Sequence, residues 1–262
     1  MSAIFLRDEI VHYEVLGRGR PTLFLHDWVG SWRYWIPSMQ AASVSFRAYA
    51  LDLWGFGDTA KNPSYYSIDQ QLSLLEEFLE ELGIGKIALV GHGLGAVIAL
   101  LYAARHLGNV DRILAVSLPP KESAIQPRLR LAAPAELADW LLGSSPTGEA
   151  AWLEAGKADP RAIALSLVSL QSLDLATLPA RAQVPCLIVH GLDDPAITPL
   201  PVEQALTIPE PVHAIPFEAC GHFPMLDEPA RFNRLLMDFL SLPSGTSPRQ
   251  LQLKEEWKRR VR

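Results

Sequence analysis

The sequence predicts an α/β domain: a mostly parallel central sheet flanked by helices, carrying a small helical cap. Three observations predict it. Short apolar runs alternate with segments of helical spacing along most of the chain, the pattern of a parallel sheet covered on both faces. A glycine-rich bend, Gly91-His92-Gly93-Leu94-Gly95, joins an apolar strand directly to an apolar helix. Between Pro119 and Pro185 the strand pattern stops and Ala, Leu and Pro dominate, with Trp140 and Trp152, as expected of a helical insertion between two strands.

The elements follow in order. Residues 3–7 and 10–15 read as strands joined at Arg7-Asp8-Glu9, and a Gly17-Arg18-Gly19-Arg20 loop follows. Thr22–His26 is a buried strand that ends at Asp27-Trp28; Ser31–Met39 reads as a short helix with three aromatics. Ala48–Leu53 is a strand followed by the loop Trp54-Gly55-Phe56-Gly57-Asp58. Ile68, Leu72, Leu75, Phe78, Leu79 and Leu82 form one stripe of a helix over 67–82, opened by a Ser67/Gln70 capping box and stopped by Gly83. Lys86–Val90 is a strand, and Ala96–His106 a helix apolar nearly all round, hence central. Arg112–Ser117, Cys186–His190 and Val212–Phe217 are strands, Pro199–Ala205 and Arg231–Leu240 helices. Residues 1–242 are thus expected to be one domain with its cap inserted at about 119–184. Residues 243–249 form a linker and 250–262 a short basic helix.

With 262 residues and 49% apolar residues, the chain has enough apolar material for a large core. Its net charge of −6 offers no case for nucleic-acid binding. The charge is uneven: residues 243–262 set Arg249, Lys254, Lys258, Arg259, Arg260 and Arg262 against Glu255 and Glu256. Leu253, Trp257 and Val261 recur every four residues there, a pattern suited to an anionic membrane surface, a neighbouring subunit or a solvated extension. Cys186 and Cys220 make no disulfide framework or metal spacing, no leader pattern opens the chain, and no run spans a membrane, so a cytoplasmic setting is expected.

The bend at 91–95 sits where a strand–turn–helix carries a nucleophile in the G-x-S-x-G pattern. On that motif the chain resembles the α/β-hydrolase family over residues 3–242, with one departure: Gly93 stands where the family has its serine. The resemblance implies that His26-Asp27-Trp28 is the oxyanion loop, with the backbone N–H groups of Trp28 and Leu94 as donors. It further implies that Asp52-Leu53-Trp54-Gly55-Phe56-Gly57 is the family's Asp-x-x-Gly-x-Gly loop. Gly191-Leu192-Asp193-Asp194 then supplies the acid, by family spacing Asp194, and Gly221-His222-Phe223-Pro224 the histidine. His26 is expected to buttress its loop, His92 to pack or hydrogen bond, and Cys220 and Cys186 to pack. Asp27 replaces the usual glycine; its carboxylate is expected to turn away and brace the loop, because facing inward it would oppose a developing negative charge.

Glycine cannot form a covalent intermediate. Three readings stay open. His222, oriented by Asp194, acts as general base on a water in the space left by the serine, hydrolysing a small apolar ester, thioester or carbonyl compound or abstracting a substrate proton. The chain binds a small ligand without turnover. Or it is a serine hydrolase disabled at position 93. Trp28, Trp54 and Trp140, with Asp27, are expected to line an apolar ligand pocket, whereas Trp32 and Trp152 pack. No Gly-rich phosphate loop or metal cluster is evident in the sequence, so no cofactor is implied.

Overall fold

In the computed structural model, residues 2–142, 148–201, 203–204 and 207–253 are described. The expected basic helix therefore lies largely outside the described residues, as does part of the expected helix over 199–205.

Among the described residues, eight strands form one sheet in the order β1-β2-β4-β3-β5-β6-β7-β8. These are β1 Ser2–Leu6, β2 Glu9–Leu16, β3 Arg20–Leu25, β4 Phe46–Leu51, β5 Ile87–His92, β6 Val110–Val116, β7 Cys186–Gly191 and β8 Val212–Phe217. β1 and β2 are antiparallel, as are β2 and β4; the six strands from β4 to β8 run parallel. Every residue of β5 and β7 is buried, which explains why their sequences are continuous apolar runs without alternation.

Helices α1 Ile36–Ala42, α2 Ile68–Glu81 and α3 Leu94–Arg105 follow β3, β4 and β5. α2 begins where Ser67 accepts the Gln70 N–H and buries the predicted stripe. Between β6 and β7 come α4 Arg128–Leu131, α5 Pro134–Leu142, α6 Glu149–Ala155, α7 Pro160–Ser169 and α8 Leu178–Arg181. After β8 the short α9 Pro224–Asp227 leads into α10 Pro229–Ser241. α10 buries Phe232, Leu235, Leu236, Phe239 and Leu240, one stripe at helical spacing that packs against α1. Each such side chain contributes roughly 1.5–3 kcal/mol when taken from water.

The neighbouring strands β3 and β4 both end short of expectation, for one reason. β3 stops at Leu25 and β4 at Leu51, short of the predicted His26 and Leu53. The His26 ring bridges the two loops instead: its Nδ1–H donates to the Asp27 carbonyl at 2.7 Å, and its Nε2 accepts the Leu53 N–H at 2.9 Å. The predicted helix over 31–39 is a 3-10 turn, Trp32–Trp35, passing into α1 with a proline in its first turn. Among the described residues, no helix is long and apolar enough to cross a membrane.

Candidate active site

The carboxyl ends of β3, β5, β7 and β8 bring together the loops predicted to carry the chemistry. The bend after β5 requires its glycines. A Cβ on Gly91 would press on the backbone of Gly95 and Ala96, and one on Gly95 would meet the Leu25 backbone. Gly93 takes φ +46°, a region that disfavours side chains, and caps α3 at its N-terminus.

The acid and the histidine meet as the motifs imply. Asp194 Oδ2 lies 2.9 Å from His222 Nδ1, while Asp194 Oδ1 accepts the N–H groups of Ala196 at 2.8 Å and Ile197 at 3.0 Å. His190, whose Nε2 is 3.4 Å from Asp194 Oδ2, supports the acid from the other side.

Asp27 departs from expectation. Its carboxylate does not turn away; it turns into the site. Oδ2 lies 2.9 Å from His222 Nε2, and Oδ1 accepts the Leu94 N–H at 3.0 Å. A Cβ built on Gly93 would collide with that same Oδ1. The space expected to hold a water is therefore filled by a carboxylate, and the Leu94 N–H expected to face a substrate oxygen is already engaged. The physical reason is local. The missing side chain at 93 leaves room, and the positive end of α3 together with an imidazole offers donors to an anion that would otherwise be buried unpaired.

His222 thus stands between two carboxylates, with both ring nitrogens donating, the arrangement of an imidazolium. Burial works against its charge, but Asp194 and Asp27 more than offset this and lift His222 to about 10. Burial likewise raises Asp27 and Asp194. For Asp27 the His222 hydrogen bond and charge prevail, and for Asp194 those of His222 and His190 do, so both stay ionised below the usual carboxylate range. Asp27, Trp28, His92 and His222 expose no surface.

The surrounding residues are braces. His92 Nδ1 lies 3.0 Å from the Tyr34 hydroxyl and its Nε2 2.9 Å from the His222 carbonyl; burial holds His92 down at about 3, hence neutral. The Trp28 indole N–H donates to Ser166 of α7 at 3.0 Å, and Ser31 to Glu154 of α6 at 3.1 Å, so the helices between β6 and β7 close on the Asp27 loop. Trp54 packs on Tyr65 with rings tilted 40°, its backbone N–H held by Gln71; Trp140 lies under the Arg128 guanidinium. These contacts leave Trp54 fully buried. An apolar cavity of about 320 Å³ lies elsewhere, behind the acid loop, with Ile188, His190 and Ala214 in its wall. Burial pushes the Cys220 and Cys186 thiols up to about 12, leaving neither as a thiolate nucleophile.

Ligand atoms of Asp27, His92 and His222 lie within 4.8 Å of one another, residue types that suit a transition metal. Both nitrogens of each ring are already committed to hydrogen bonds, so a cation there would have to break several of them.

Comparison with known proteins gives a consistent picture. Residues 22–235 match the family model described as the alpha/beta hydrolase family. A soluble epoxide hydrolase of Corynebacterium sp. is 29% identical over 110 residues, 42% of this chain; that match spans only 38% of the relative's length. A 2-hydroxy-6-oxo-6-(2'-aminophenyl)hexa-2,4-dienoic acid hydrolase of Metapseudomonas resinovorans is 24% identical over 262 aligned positions, 87% of each chain. Among solved structures, a hydrolase from Pseudomonas aeruginosa superposes with a TM-score of 0.79 at 20% identity, covering 92% of this chain and 98% of that one.

Proposed function

Because the chain belongs to the alpha/beta hydrolase family, we propose that it is a hydrolase whose nucleophile is the carboxylate of Asp27, acting on a small apolar molecule with an electrophilic saturated carbon, an epoxide above all. One observation carries this reading: the Asp27 carboxylate fills the place a residue-93 side chain would take, with Oδ2 on His222 Nε2 and Oδ1 on the Leu94 N–H.

The chemistry follows from which groups are already engaged. An ester, thioester or ketone would develop negative charge on its oxygen beside Asp27, with the Leu94 N–H expected to receive that oxygen already taken. Those substrates, expected from the motifs, are disfavoured. An epoxide needs no such donor. Asp27 Oδ2 attacks a ring carbon, the ring C–O bond breaks, and the departing oxygen takes the Nε2 proton of His222. Asp27 is now a neutral ester and no longer holds a proton on the imidazole, so His222 becomes a competent base. It takes a proton from water, which attacks Cγ of the ester. Negative charge collects on Oδ1, already placed on the Leu94 N–H. Collapse expels the diol oxygen, which His222 protonates. The new carboxyl proton then returns to His222, restoring the ion pair.

A single turnover of a small aryl epoxide in ¹⁸O-water tests this. Label in the Asp27 peptide is expected; label confined to the diol would sink the covalent step. The complete burial of Asp27, Trp28 and His222 favours a second reading, a ligand binder without turnover. Saturable binding of the epoxide with no diol formed would select it.

A further inference from the structure

Tyr34 lies outside the motifs and His92 fills a variable place in the bend after β5, yet every side-chain polar atom of the two points into one circuit. The Tyr34 hydroxyl accepts the backbone N–H of Asp27 at 2.8 Å. Its own single proton then goes to His92 Nδ1, 3.0 Å away, which makes Nδ1 an acceptor and leaves the ring proton on Nε2. That Nε2–H donates to the backbone carbonyl of His222 at 2.9 Å, which the Ser117 hydroxyl also reaches at 3.0 Å. The circuit closes through the His222 imidazole to the Asp27 carboxylate. The two partners of the ion pair are therefore tied twice, once through their side chains and once through their backbones. Tyr34, His92 and Ser117 are all buried, so no water competes for these bonds.

We propose that Tyr34 and His92 are positioning residues, a neutral strut between the Asp27 and His222 backbones that fixes the separation of carboxylate and imidazole. Neutrality is essential to the design. A cationic His92, its ring centroid 4.7 Å from that of His222, would compete for the Asp27 carboxylate, and a second ring proton on Nδ1 would oppose the Tyr34 hydroxyl. Burial prevents this, holding His92 neutral across ordinary pH. The consequence for turnover rests on the Asp27 reading; the geometric claim does not.

The test reads His222 directly. Imidazole ¹⁵N shifts are followed by NMR across alkaline pH in the wild type, Tyr34→Phe, His92→Leu and His92→Gln. The groups facing His222 are Asp27, Asp194 and His92, with His190 behind Asp194 and Asp227 on the neighbouring Gly221 N–H, so the titration is assigned against those five. Tyr34→Phe and His92→Leu are expected to lower the proton affinity of His222 by about tenfold or more, as the carboxylate drifts from Nε2. His92→Gln, which can accept from Tyr34 and donate to the carbonyl, is expected to restore most of it. Loss of thermal stability with an unmoved His222 midpoint would overturn the proposal, as would equal effects of Leu and Gln at 92, which would assign the role to ring packing. Should Tyr34→Phe fail to fold, the pair at 92 carries the test alone. Because the readout is a proton affinity, it stands or falls separately from whether Asp27 attacks a substrate.

Discussion

Among the described residues, buried histidines meet carboxylates in two regions, around His12 and around His222, and the two differ in what else the carboxylates hold. In the first, His12 Nδ1 lies 2.8 Å from Asp52 Oδ2. Asp52 spends its remaining capacity on backbone: Oδ1 accepts the Trp32 N–H at 2.9 Å and Oδ2 the Asp58 N–H at 3.1 Å, while its carbonyl takes the Thr59 hydroxyl. These bonds hold the loop after β4 together and tie it to β2 through His12 and to the turn after β3 through Trp32. In the second, His222 lies between Asp27 and Asp194, and one of those acids is held by an α-helix N-terminus at a bend without a side chain. The first carboxylate is saturated by backbone; the second faces a proton that it can lose or regain. A buried His–Asp contact is therefore weak grounds for reactivity until the carboxylate's other partners are counted.

That contrast can be broken most directly at the two acids. Asp27→Asn is expected to cut epoxide turnover by about a thousandfold or more, the scale of losing a nucleophile or its partner, whereas Asp52→Asn should leave kcat within about threefold. Steady-state kinetics on both variants decide it, and the reverse ranking would move the centre to the wrong histidine. Next in size is Gly93→Ser. Its Cβ would collide with Asp27 Oδ1 at a backbone φ of +46°, so a loss of about 1–3 kcal/mol in urea melts is expected, with no gain of esterase activity. Adding Asp27→Gly should recover much of that stability by clearing the space. Appearance of serine esterase activity in the single variant would favour a disabled serine hydrolase instead.

The third contrast is in pH. His222 binds its proton more tightly folded, to about 10, than unfolded, near its ordinary 6.5. Its stabilisation is therefore complete below about 6.5 and is lost progressively as pH rises toward 10. Urea melts at several alkaline pH values should show this decline, and His222→Gln should flatten it. For Asp27 and Asp194 the sign is opposite: their contributions are present above the ordinary carboxylate range and vanish as pH falls below it. The smallest effect is expected at Trp28→Phe. Losing its bond to Ser166 should cost about 1 kcal/mol in the same melts and leave the His222 titration unchanged.

Much of this was legible in the sequence. The apolar runs of β5 and β7 and the glycines at 91 and 95 follow from patterns of residue type; the pairing of Asp194 with His222 was implied by the family resemblance, and the two side chains lie 2.9 Å apart. The orientation of Asp27 was not legible. It depends on the volume freed at Gly93 and on donors contributed by α3 and His222, far apart in sequence, and a linear pattern carries no rotamer. Tyr34 was hidden for another reason: an aromatic among Trp32 and Trp35 reads as packing, and its hydroxyl acquires meaning only when His92 is brought beside it. For Trp54 and Trp140 the residue pattern could not choose between pocket and packing, since large aromatics near motif loops serve either; their visible contacts are to Tyr65 and Arg128.

The centre's charge has a last consequence. Two carboxylates and one imidazolium leave a single uncompensated negative charge in an interior that water does not reach. In so poor a dielectric that charge is felt over the whole dimension of a small guest, with no salt to mute it. On the proposed Asp27 chemistry, a neutral guest is therefore expected to be favoured over an anionic one beside this centre.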